Sequence, residues 1–204
     1  MKFKICDAHC DTLSMLASGA KLENATVTPE RMVKGNVAIQ VLAMFATLNA
    51  DIDPYEKGLK MLEASKTLPI PVCRGQLPAV LPDAPMGVIS IEGGEMLKGS
   101  LERFRQFDEA ARIRMIALTW NYENEIGHPA KNGPEGGLKP FGIELVREMN
   151  RYGVLCDVSH LNEAGFWDVI RYSTLPPVAS HSNYRGLCDV PRNLWRDQDR
   201  KSVV

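Results

Sequence analysis

Short apolar, β-branched runs alternate with longer amphipathic stretches along the chain, setting out a repeated strand and helix unit. The pattern predicts strands over Lys2–Asp7, Asn36–Phe45, Met86–Ile91, Ile113–Thr119, Val154–Val158 and Pro177–Ala179. It predicts helices over Thr12–Ser18, Pro29–Lys34, Pro54–Thr67, Ser100–Ala111, Pro140–Tyr152 and Asn162–Tyr172. Runs such as IQVLAMFA, MGVISI and IRMIAL are apolar almost throughout, as in strands buried on both faces. The helix ends carry their own signals. Ser100 and Asn162 suit N-caps, Pro54 and Pro140 suit a first turn whose N–H has no partner anyway, and Gly153 stands where a C-cap glycine belongs. The Pro-containing stretch Pro69 to Pro85 leaves room for a short extra strand or hairpin.

Strand, helix and strand joined by parallel crossovers give either a doubly wound sheet or a (β/α)8 barrel. No GxGxxG follows the first strand and no GxxxxGK[ST] occurs, which disfavours a nucleotide-binding open sheet. Six βα units are in view along residues 1–204. A full barrel typically takes about 250 residues. Gly133-Pro134-Glu135-Gly136-Gly137, after the fourth strand, is a candidate active-site loop.

Composition narrows the partners. The 204 residues are 45% hydrophobic and 24% charged, as in ordinary globular proteins. Lys+Arg 24 against Asp+Glu 25 gives a net charge of −1, which points to neither nucleic acid nor a membrane surface as a partner. No apolar run could span a bilayer and the N-terminus lacks a signal peptide's apolar region, so a cytoplasmic location is expected. Five cysteines without a CxxC pair read as reduced thiols.

Three of the four histidines, His9, His160 and His181, fall at the C-terminal ends of predicted strands, the rim where barrel active sites are built. In Asp7-Ala8-His9-Cys10-Asp11, side chains two apart share a face of an extended strand, so His9 and Asp11 make a two-ligand clamp. Cys6 and Cys10 take the opposite parity, toward the helices. A Cys6/His9/Cys10 zinc site is the competing reading, with unfavourable strand geometry and no second half. At the end of the third strand, Ser90 and Glu92 face inward while Ile89 and Ile91 face the helices. A rim carboxylate is costly to bury unpaired. A salt bridge to an arginine would resolve that cost, and so would a metal: with two oxygens, Glu92 can bridge two ions about 3.5–4 Å apart. His9, Asp11, Glu92, His160 and His181 are thus the candidate metal ligands, a nitrogen and oxygen set that suits zinc and also admits manganese, cobalt or iron. His128 lies in a loop and receives no role.

The motifs DAHCDTL, SIEGGEML, LTWNYEN, DVSHL and ASHSNYRG…DVPRNL, in this order over nearly the whole chain, resemble the membrane (renal) dipeptidase family, metallopeptidase family M19, in its soluble bacterial form. The resemblance implies an α/β fold, a TIM-like (β/α)8 barrel that is incomplete here with about six βα units, residues 1–204 forming one partial metal-dependent hydrolase domain that holds two zinc ions. It also implies cleavage of dipeptides with a free C-terminal carboxylate through a metal-bridging hydroxide. Carried over by motif, His9 and Asp11 hold one zinc, Glu92 bridges, and His160 with His181 hold the second. Arg192 falls where the family pairs an arginine with the substrate carboxylate, a task its planar fork suits. Trp120 stands where many members carry a substrate-binding histidine. The family's catalytic aspartate, in a motif resembling SDFDG, is expected beyond Val204, so no catalytic residue is identified in this chain and impaired activity is the expectation. The run WRDQDRKSVV departs from the family's usual sequence after PRNL. A homodimer is a further implication of the resemblance, and open sheet edges suggest aggregation or domain-swapped closure. The alternatives are an amidohydrolase-like enzyme acting on another amide or lactone, and a catalytically inactive fragment.

Overall fold

The computed structural model describes residues 3–47 and 52–202. Its sheet has five strands, β1 (Ile5–Asp7), β2 (Val37–Phe45), β3 (Met86–Glu92), β4 (Met115–Ala117) and β5 (Leu155–Asp157). They lie side by side in chain order, every neighbouring pair parallel. Helices α1 (Thr12–Ala17), α2 (Pro29–Gly35), α3 (Pro54–Lys66), α4 (Leu101–Ala111), α5 (Pro140–Tyr152) and α6 (Glu163–Tyr172) fill the crossovers, and a short α7 (Arg196–Asp199) follows. The sheet curls into half of a TIM-like barrel. The expected start of the first strand at Lys2 lies outside the described residues.

The helices end where their capping residues say they should. The Ser100 hydroxyl accepts from the Arg103 amide, the Asn162 side chain accepts from the Gly165 amide at 2.8 Å, and Gly153 closes α5 at φ 66°. Between sheet and helices lies the core: Leu42 and Met44 of β2, Ile89 and Ile91 of β3 and Ile116 of β4 meet Met61, Phe104, Phe107, Val146, Met149 and Phe166. Each such side chain contributes about 1.5–3 kcal/mol by leaving water.

Two expectations need correction. Burial on both faces holds for β3 and β4 but not for β1 and β2, where Ile5 and Cys6 are exposed and Val37, Ile39, Val41 and Phe45 are half-buried. Five strands do not close a barrel, so the concave face of the first two keeps contact with solvent. Cys6 is exposed rather than packed against a helix layer, whereas Cys10 is buried in the core as its parity implied. The sixth predicted strand, Pro177–Ala179, is a single parallel bridge between Asp157 and Val178. Its bonds are Val158 N–H to the Val178 carbonyl and Val178 N–H to the Cys156 carbonyl, both 2.8 Å. Pro176 and Pro177 bring no N–H to extend that ladder, and the chain turns at Ser180. The stretch from Pro69 to Pro85 likewise adds one bridge, Val72 to Gly87. No helix among the described residues is long and apolar enough to cross a membrane.

Candidate metal centre

Each candidate ligand sits where a strand hands over to a loop. The segment after β1 is pinned twice: the Asp7 carboxylate accepts the His9 amide at 3.2 Å, and the Ala43 amide of β2 donates to the Cys10 carbonyl at 2.9 Å. Glu92 is the last residue of β3, and Gly93 at φ 73° turns the chain away from it, a conformation glycine adopts freely. His160 follows β5 in the left-handed region at φ 69°, the kind of backbone strain found at functional sites. His181 follows the Val178 bridge.

These side chains converge on one carboxylate. Glu92 Oε2 lies 3.4 Å from His9 Nε2, while Oε1 lies 3.2 Å from His160 Nε2 and 3.4 Å from His181 Nε2. Donor atoms of His9, Glu92 and His181 all fall within 4.8 Å of one another, and the His9 and His181 rings stack with centroids 4.2 Å apart. Asp11 stands at the margin, 3.8 Å from His9 Nε2 with its side chain 58% exposed. Burial works against ionising Glu92, but the hydrogen bonds that His160 and His181 donate when Nε2 is protonated, and the charge of His9, outweigh it and hold the carboxyl at about 2. Burial and then the Glu92 charge raise the pKa of Asp11. Burial lowers that of His160, which favours its neutral form, and the nearby Arg192 adds to the effect.

The remaining ring nitrogens have partners of their own. His160 Nδ1 meets Asn121 Oδ1 at 3.0 Å, and His181 Nδ1 meets Ser180 Oγ at 2.6 Å, with Ser180 donating in turn to Asp157. With those protons on Nδ1, both Nε2 atoms present lone pairs, 3.0 Å apart and facing Glu92 Oε1. Lone pairs that converge in this way repel unless positive charge lies among them; Arg192 Nη2, 2.9 Å from His160 Nε2, supplies part of it, and a proton on an imidazole or a metal in its place supplies the rest. The donor set fits a metal. Trp120 and Phe45 pack edge to face at 4.9 Å beside the His160 ring and form an apolar wall of the site.

Four of the predicted ligands, His9, Glu92, His160 and His181, come together in the structure, with Asp11 next to them. The Cys6/His9/Cys10 alternative does not assemble: Cys6 is exposed and Cys10 Sγ is buried against Thr12 Oγ1 at 3.5 Å. No arginine forms an ion pair with Glu92 among the described residues. Arg192 points into the site, its Nη1 donating to Ser182 Oγ at 3.1 Å and Nη2 to His160 Nε2 at 2.9 Å. The loop from Gly133 to Gly137 bonds instead to His128 and to Asn162 and Ala164 around the start of α6. Asn121, Asp157 and Ser180 escaped the sequence reading. The only signal was their adjacency to a flagged position, since Asn121 follows Trp120 and Ser180 precedes His181.

The profile of the membrane dipeptidase family, peptidase family M19, matches residues 1–200. An uncharacterised protein of Klebsiella pneumoniae is 38% identical over 119 residues, covering 55% of this chain and 44% of that one. An uncharacterised dipeptidase of Schizosaccharomyces pombe is 35% identical over 112 residues, covering 54% of this chain and 27% of its own length. The chain thus spans less than half of these curated relatives. Among solved structures, a family M19 dipeptidase superposes with TM-score 0.83 at 24% identity, over 97% of this chain and 68% of its own. A metallopeptidase from Rhodobacter sphaeroides, liganded with a phosphinate mimic of the dipeptide L-Ala-D-Ala, gives 0.82 at 24% identity, over 97% and 70%.

Proposed function

The chain belongs to the membrane dipeptidase family, peptidase family M19, and from that premise we propose that it carries a two-zinc centre for dipeptide hydrolysis. One observation supports this most: the two oxygens of Glu92 have different histidine neighbours, Oε2 meeting His9, which has Asp11 beside it, and Oε1 meeting His160 and His181. His9 and Asp11 would hold one ion and His160 and His181 the other, with Glu92 shared between them. The chemistry that such a pair of ions supplies when bound is Lewis acidity, which polarises a carbonyl oxygen and acidifies water from a pKa of about 15.7 toward 7. Residues 1–204 would act as one domain.

The chain's own residues define which substrate fits. Arg192 forms no ion pair among the described residues, and its neighbours Ser182 and His160 are neutral acceptors. Burial lowers its pKa, as expected for a guanidinium partly removed from water. A partly buried fork without a carboxylate partner is suited to hold the C-terminal carboxylate of a dipeptide bidentately. Trp120 and Phe45 exclude water from one side of the reacting carbonyl. Asn121 and Ser180 hold the ligand imidazoles in register. For the proton to the leaving amine, the carboxyls of Glu92 and Asp11 are both taken as ligands.

Release of amino acids from L-Ala-D-Ala and from its C-terminal amide, measured on the zinc-loaded chain, tests the proposal. Slow turnover is expected, and for the free carboxylate only, and Arg192→Lys is expected to lower kcat/KM by about tenfold or more, as for a lost charge-assisted hydrogen bond. Equal turnover of the amide would favour an amidase of another kind. Absence of turnover on both would favour the catalytically inactive alternative over an active dipeptidase.

A further inference from the structure

The structure places a directional chain of hydrogen bonds behind His181, and it ends at a buried carboxylate. Asp157, the last residue of β5, is 1% exposed. Its Oδ1 accepts the Ser159 and Ser180 amides at 2.9 and 3.1 Å, and its Oδ2 accepts the Ser180 hydroxyl. An ionised carboxylate can only accept, so the single hydroxyl proton of Ser180 goes to Asp157. What Ser180 Oγ offers to His181 Nδ1, at 2.6 Å, is then a lone pair, and Nδ1 must carry the proton. Ser159 Oγ supports the same direction. It accepts the His181 amide at 3.1 Å and the Ser182 hydroxyl at 3.4 Å, which leaves its own proton for Ser180 Oγ at 3.3 Å. Ser182 in turn accepts from Arg192.

We propose that Asp157 and Ser180 are a positioning pair: they lock His181 in the Nδ1–H tautomer and so keep Nε2 free to bind metal beside Glu92. This rests on the reading of His181 as a metal ligand. Outer partners of this kind typically change metal affinity by 10–100-fold.

An isosteric change separates this role from packing. In Asp157→Asn, the oxygen facing the two amides can remain, while the new amide N–H₂ donates to Ser180 Oγ. The hydroxyl proton must then turn to His181 Nδ1, and the imidazole proton moves to Nε2, where it competes with the metal. Ser180→Ala removes the acceptor altogether, and Ser180→Thr restores it.

The tautomer is read by ¹⁵N NMR of the metal-free chain labelled in its histidine rings. Zinc affinity is read by calorimetry with a competing chelator, and thermal melts confirm folding. The parent is expected to show Nδ1–H at His181 and to bind two zinc ions. Asp157→Asn and Ser180→Ala are expected to shift the proton toward Nε2 and weaken one of the two zinc sites by about 10–100-fold, with Ser180→Thr close to the parent. Folded Asp157→Asn and Ser180→Ala variants with parental tautomer and both zinc affinities unchanged would overturn the inference and leave the metal centre standing. Loss of affinity in Ser180→Thr equal to that in Ser180→Ala would also overturn it, assigning the effect to packing. A parent chain that takes up no zinc would overturn the metal centre itself, and the claim about affinity with it.

Discussion

Three residues beyond Glu92 on the same loop, a second carboxyl has an opposite fate. Glu95 is 1% exposed, and neither of its carboxylate oxygens has a hydrogen-bond partner among the described residues. Burial pushes it up to about 7, helped by the charges of Glu125 and Glu92, whereas in an unfolded chain a glutamate ionises near 4.3. The folded state thus holds this proton over a pH range in which the unfolded state has released it. The contribution of Glu95 to stability falls as pH rises from about 4.3 to 7 and is constant above that. The loss amounts to about 4 kcal/mol for a shift of this size. Glu95→Gln, which stays neutral, is expected to match the parent in urea denaturation at pH 4 and to be clearly more stable at pH 8; parallel stability profiles would contradict this. At this scale the sequence was informative about ligands, because the HxD spacing and the parity of β3 are local facts that a strand translates directly into facing. It was silent about Asn121, Asp157 and Ser180. Asn121 meets the His160 ring across 39 positions of chain and Asp157 meets the Ser180 hydroxyl across 23, which no local pattern encodes, and the role of Ser180 beside His181 follows from that distant partner.

At the scale of elements, glycine positions show where packing left no room. Gly142, in the first turn of α5, has the Ile126 carbonyl oxygen where a Cβ would sit. Gly142→Ala gains helix propensity worth up to about 1 kcal/mol, but backbone overlap of this kind costs about 1–3 kcal/mol. The variant is therefore expected to melt a few degrees lower, since about 1 kcal/mol moves the midpoint by 2–4 °C in a domain of this size. A raised melting temperature would show that the loop at Ile126 yields. The helices were legible because each carries its cap and its apolar stripe in consecutive residues. Strand limits were less so. The apolar run from Ile113 to Thr119 contributes only Met115–Ala117 to the ladder, because the partners across the sheet, and not the run itself, decide how far pairing extends. The sixth strand shrank to one bridge for the same reason, with two prolines before it.

At the scale of the whole molecule, five parallel strands and one further bridge bring residues from four crossovers to one rim, as the alternation along the chain implied. The half-exposed concave side of β1 and β2 could not be read from their apolar sequences, because burial on the second face depends on closure and not on composition. The solved structures share this part of the fold over about two thirds of their length, and all five proposed ligands lie within residues 1–200, which the family profile matches. The most direct test of the central claim, that Glu92 is shared by two metal ions, is a count of bound zinc by inductively coupled plasma mass spectrometry after loading and dialysis. Two ions per chain are predicted for the parent and for Glu95→Gln, and one or fewer for Glu92→Gln. A parent that retains none, or a Glu92→Gln variant that retains two, would contradict the account.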